Sequence, residues 1–124
     1  MIARRIVGSV EKRVAAESIG RARAETERLA TALARQRDDI VAASQFDSGD
    51  DEHDPEGATI AFERAQVQAL LRQAQDDLAA LGKAAERVGA GVYEVCERCG
   101  GPIAEDRLLA LPATRICIAC ANRR

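Results

Sequence analysis

The sequence predicts a mainly α-helical chain: a long antiparallel coiled-coil hairpin followed by a small four-cysteine zinc finger. Three observations lead there. Two proline-poor segments carry apolar residues at helical spacing, a polar and acidic stretch separates them, and four cysteines fall in two closely spaced pairs near the end. Composition agrees. Of 124 residues, 25 are alanine and only three are aromatic, which favours helices packed thinly on each other over a thick core. A net charge of −2 marks neither a nucleic-acid coat nor a polybasic membrane binder.

Residues 1–12 begin with a basic pair and are too soon interrupted by Glu11 and Lys12 to read as a signal peptide, leaving a short helix or a frayed extension. No apolar run reaches the roughly 20 residues that span a bilayer, so a cytoplasmic protein without membrane contact is expected. The first long helix is placed at about 13–44. Its a/d row is Ile19, Ala22, Thr26, Leu29, Leu33, Gln36, Ile40 and Ala43, in alternating steps of three and four. The second is placed at about 56–89. Ile60, Val67, Ala74, Leu81 and Val88 repeat by sevens, Leu71, Leu78 and Ala85 fill the interleaved row, and Arg64 alone breaks it. Pro55 suits a helix start with Asp54 as N-cap, and Gly89 and Gly91 offer the stop.

Two such helices, each about 45 Å long at 1.5 Å per residue, cannot bury their stripes alone. A short polar connector favours folding back within one chain, and pairing between two chains is the alternative. Residues 45–57 then form an acidic tip, with Asp47, Asp50, Asp51, Glu52, Asp54 and Glu56 and no lysine or arginine between 47 and 57. Charge runs are usually solvated faces, and the spacing fits no EF-hand calcium loop. His53, the sole histidine, reads as an exposed residue of the bend. Phe46 and Phe62 flank the tip and are expected to pack together, with docking on a partner as the other reading.

Residues 91–124 hold the finger and a short basic tail, set apart from a helical region at 1–90. Cys96, Cys99, Cys117 and Cys120 form C-x2-C-x17-C-x2-C, inside the spacing of a four-thiolate zinc site. A two-residue gap lets a tight turn aim both sulfurs at one ion, and Gly100 and Gly101 let the backbone curl beneath it. Four thiolates leave no open position for water, so one Zn2+ per chain would be structural. Two disulfides and a redox pair are the competing readings, and the ligands alone admit iron as well as zinc. No nucleophile–base arrangement or open metal site suggests an enzyme.

The run "YEVCERCGGPIAEDRLLALPATRICIAC" from Tyr93 to Cys120 resembles the C4-type zinc finger of the TraR/DksA family of transcription regulators. Its aromatic before the first pair, its "GGPIAEDRL" and its "RL-x-A-x-P-x-x-x-x-C" from Arg107 to Cys117 carry the likeness, and the preceding hairpin extends it over roughly residues 20–121. The resemblance implies direct binding to RNA polymerase without sequence-specific DNA recognition. A coiled-coil tip would enter the secondary channel, where acidic residues alter the stability of initiation complexes. Asp51, Glu52, Asp54 and Glu56 are the tip candidates, and Arg107 and Arg115 are candidate contacts of the finger.

The family's tip motif, Asp-x-x-Asp-x-Ala, is met by Asp51-x-x-Asp54-x-Glu56 in both aspartates. Counting back from the first cysteine selects Asp54-x-x-Gly57-x-Thr59 instead, so the register stays open. Some members also help to sense guanosine tetraphosphate through basic residues; here Leu111 and Ala121 stand at the matching positions, with Arg115, Arg123 and Arg124 nearby. Outside the family, a nucleic-acid-binding zinc module on a helical stalk and a dimeric coiled-coil scaffold are the alternatives.

Overall fold

The computed structural model describes residues 11–46 and 55–123. Helix α1 runs Lys12–Phe46 and α2 runs Pro55–Ala90, followed by two short helices, α3 at Glu105–Ala110 and α4 at Ile118–Ala121. The two long helices are the expected ones to within two residues at each end. Gly20 lies inside α1 without breaking it, and Pro55 takes the first helical position, where a missing N–H costs nothing. Asp51, His53 and Asp54 lie outside the described residues, as does the proposed Asp54 cap. Among the described residues, no helix is long and apolar enough to cross a membrane.

The stop of α2 follows from one glycine. Gly91 has φ +79°, its N–H donates to the Val88 carbonyl at 3.1 Å, and the Val92 N–H reaches back to Arg87 at 3.0 Å. That pair of bonds satisfies two orphan carbonyls of the last turn, and only glycine enters the left-handed region without strain. Gly89, the other candidate, remains helical.

Residues fall into two compact units. One comprises residues 1–24 and 78–124, and the other residues 25–77. In the second, Leu33 of α1 is buried with Val67, Leu71 and Ala74 of α2, and Ala30, Ala34 and Ile40 pack beside them. In the first, Ala15 and Ile19 of α1 cluster with Leu81, Ala84 and Val88 of α2. Early residues of α1 thus meet late residues of α2, and later residues meet earlier ones, which is antiparallel pairing.

The α2 stripe is the predicted one. Val67, Leu71, Ala74, Leu81 and Val88 are buried, Ile60, Leu78 and Ala85 are half-buried, and Arg64 is exposed. The α1 stripe departs from the expected row. Leu29 is 52% exposed, and Gln36 and Ala43 are exposed too. Ala15, Ile19, Ala22, Thr26, Ala30, Leu33, Arg37, Ile40 and Ser44 form a buried and half-buried row, with Ser18, Ala24, Ala34 and Val41 half-buried beside it. Ile19, Thr26, Leu33 and Ile40, spaced by sevens, keep their places, whereas the interleaved row moves one residue on, from Leu29, Gln36 and Ala43 to Ala30, Arg37 and Ser44.

Phe62 corrects another expectation. It lies five residues before Val67, about 140° round the helix at 100° per residue, and is 72% exposed. Its ring therefore does not pack into a closure of the bend, and the side chain of Phe46 lies outside the described residues.

Candidate metal centre

The finger is built from a knuckle, a short helix and a helical turn. The knuckle is a single antiparallel bridge between Val95 and Pro102, in which the Cys96 N–H donates to Gly101 at 2.8 Å and the Ile103 N–H to Glu94 at 2.8 Å. Gly100, at φ +75°, lets the chain reverse between the second cysteine and the bridge. Gly101 is crowded for a different reason: a Cβ there would lie 3.3 Å from the Cys99 sulfur, a tight contact. The second pair is placed by α4, since Cys117 caps that helix and Cys120 lies three residues on, along the same side of one turn.

These elements bring all four sulfurs within 4.8 Å of one another. Cys99 Sγ and Cys117 Sγ are 3.8 Å apart. A tetrahedron with metal–sulfur bonds of about 2.3 Å has edges of about 3.8 Å, so the spacing fits one bound ion. It is far beyond the roughly 2.05 Å of a disulfide, and all four thiols are free. Cysteine spacing thus identified a cluster able to chelate one metal ion.

Backbone N–H groups also point at the sulfurs. Cys96 Sγ accepts from Arg98 at 3.4 Å and from Cys117 at 3.3 Å, and Cys99 Sγ accepts from Gly101 at 3.4 Å. Cys96 is 1% exposed, and burial works to raise its pKa. The backbone donors around it outweigh that effect and bring it down to about 6. Backbone donation likewise lowers Cys117, whereas burial, with the neighbouring sulfurs, pushes Cys120 up to about 12. Four thiolates so close together need a cation among them, and metal binding accordingly releases protons.

Under the ligands lies an apolar floor. Tyr93, Ile103 and Leu108 are buried in the same cluster as Cys96, Cys117 and Cys120, together with Ala15, Ile19, Leu81, Ala84 and Val88. The Tyr93 hydroxyl donates to the Pro112 carbonyl at 2.7 Å, and burial raises its pKa while the Arg87 charge lowers it in part. Arg98 Nη1 donates to Cys120 O at 3.0 Å, joining the two cysteine pairs.

The predicted finger arginines differ in their surroundings. Arg107 is half-buried and its Nε donates to the Ile116 carbonyl at 3.0 Å. Arg115 is 61% exposed and lies 3.7 Å from Glu97. Leu111 and Ala121 are exposed. Of the tip candidates, Asp51, Glu52 and Asp54 lie outside the described residues, and Glu56 falls in α2 with its side chain outside them. Sequence reasoning missed Arg87 and Glu97. Arg87 Nη1 meets Glu97 Oε2 at 2.6 Å, and Nη2 donates to the carbonyls of Val92 at 3.0 Å and Val95 at 2.6 Å. A charged residue nine positions before the first cysteine and another between the cysteines were the only signals available.

Residues 91–124 match the profile of the prokaryotic dksA/traR C4-type zinc finger. A 39-residue stretch is 51% identical to an uncharacterized protein of Aquifex aeolicus (strain VF5), covering 32% of this chain and 27% of that protein. Among solved structures, the chain is similar to the transcription factor DksA2 from Pseudomonas aeruginosa. That match has 26% identity and a TM-score of 0.51, and covers 81% of this chain and 82% of that one. The family match thus covers the finger, at residues 91–124, and the similarity to a solved DksA-type structure extends over most of the chain.

Proposed function

We propose that the chain is a non-enzymatic, cytoplasmic regulator that binds RNA polymerase directly. In this reading the helical hairpin carries Asp51, Glu52, Asp54 and Glu56 through the secondary channel toward the active centre, where carboxylates meet magnesium and basic side chains. Asp51 and Asp54 are the pair on which regulation of initiation rests. The finger holds one structural Zn2+ through Cys96, Cys99, Cys117 and Cys120, and the exposed Arg115 is available to touch the polymerase.

The single observation that carries the reading is the likeness to DksA2 over 81% of the chain, hairpin included, beyond the finger alone. The test is transcription in vitro from sensitive promoters with purified polymerase. Wild-type protein is expected to bind core polymerase and change initiation. Asp51→Asn with Asp54→Asn is expected to abolish the change while retaining binding. Normal regulation by the double variant would defeat the tip mechanism, and failure to bind polymerase would defeat the whole reading. Running the assay with and without guanosine tetraphosphate decides alarmone coupling.

A further inference from the structure

We propose that Arg87 is a positioning residue of the metal centre, acting through Glu97, so that metal binding and the order of the last turn of α2 are linked. Arg87 lies in that last turn, and its side chain is only 14% exposed. Its guanidinium makes three contacts, one with the Glu97 carboxylate and two with the backbone carbonyls of Val92 and Val95. The fork thus spans the turn after α2 and the first side of the knuckle's bridge. Its Nε is buried without a hydrogen-bond partner, so the side chain is held in place by its two terminal nitrogens.

Glu97 is the other half of the link. It sits between two metal ligands, Cys96 and Cys99, and its backbone N–H donates to the Arg115 carbonyl at 2.9 Å, two residues before Cys117. The backbone position of Glu97 is therefore set by both cysteine pairs. A metal that fixes those pairs fixes the carboxylate that Arg87 must reach. Arg87 in turn pins the carbonyl of Val95, the residue just before Cys96. Each group stabilises the arrangement the other requires, and such coupling is reciprocal. A lysine could not substitute, because one ammonium cannot present two separated donor edges to a carboxylate and two carbonyls.

The experiment uses the full chain loaded with Zn2+. Zinc release into excess chelator is timed with a metal-sensitive dye, and far-UV circular dichroism checks that the helices persist. Arg87→Gln and Glu97→Gln are each expected to weaken zinc retention by about 10–100-fold, the usual range for a residue that orients metal ligands. Acting through one contact, they are expected to be non-additive, the double variant being little worse than either single one. Arg115→Gln, exposed and farther from Glu97, is expected to stay within about twofold. The reciprocal arm is amide hydrogen exchange at Gly91, Val92 and Val95, expected to rise at least about tenfold on chelation while Val67–Ala74 is unchanged. If Arg87→Gln fails to fold, Glu97→Gln and the exchange arm still decide. Native zinc retention in Glu97→Gln, independent multiplication of the two effects, or exchange indifferent to metal would overturn the proposal.

Discussion

Replacing Tyr93 by phenylalanine removes a single oxygen and leaves the ring that fills the floor of the finger. The hydroxyl donates to the Pro112 carbonyl at 2.7 Å, and the residue is only 6% exposed. Pro112 is half-buried, so water can take up part of the lost bond. The expected cost at pH 7 is about 1 kcal/mol, the net value of one neutral hydrogen bond. With a urea slope of about 2 kcal/mol per M, the unfolding midpoint should fall by about 0.5 M. The pH dependence adds a second constraint. The Tyr93 pKa is raised above its ordinary 10.0, first by burial, with Arg87 opposing. Above pH 10.0 the unfolded chain gives up the phenolic proton while the folded chain keeps it, so the unfolded state binds fewer protons and stability falls with pH. That loss is absent in Tyr93→Phe, and the gap between the proteins should narrow from pH 10.0 upward. Because Tyr93 is the sole tyrosine and there is no tryptophan, absorbance near 295 nm follows its ionisation directly. Equal stability at pH 7, or a midpoint for the folded protein at or below 10.0, would refute this account of the finger's floor.

Other tests address the core and the metal. Leu108→Ala, at one of the most completely buried side chains, is expected to cost about 2–5 kcal/mol in urea denaturation, whereas Leu109→Ala next to it, half exposed, should stay within about 0.5 kcal/mol. Chelating the metal should make residues 91–121 protease-sensitive while most helical circular dichroism persists, because residues 25–77 have a core of their own. A finger that stayed resistant without metal would defeat the structural role assigned to zinc.

Much of this molecule was legible because its signals are local. Cysteine spacing alone identified the four sulfurs that converge, and heptads alone identified the buried row of α2. What escaped is non-local or carries no apolar mark. The α1 row fails at Leu29, Gln36 and Ala43 because the half-buried positions beside them, Ala30, Arg37 and Ser44, are small or polar and leave no hydrophobic pattern to read. Phe62 was misjudged because an aromatic is usually worth burying, yet its angle to Val67 sets it on the outward face. Arg87 looked like any charged helix residue. Its role depends on carbonyls of Val92 and Val95, which pattern reading does not see. The short helices α3 and α4 are too brief to show a period.

The division into two compact units bears on how such a chain can vary over evolution. The hydrophobic cluster that supports the metal ligands draws on residues before 25 and after 77, while the stretch between them is one uninterrupted segment with its own cluster. That segment is, in effect, an insertion into the unit that carries the finger. Matched gains or losses of whole turns in both helices can change its length without touching a residue of the cluster behind the cysteines. The length of that segment and the support of the cysteines are thus separately adjustable, and selection can tune one while the other is held.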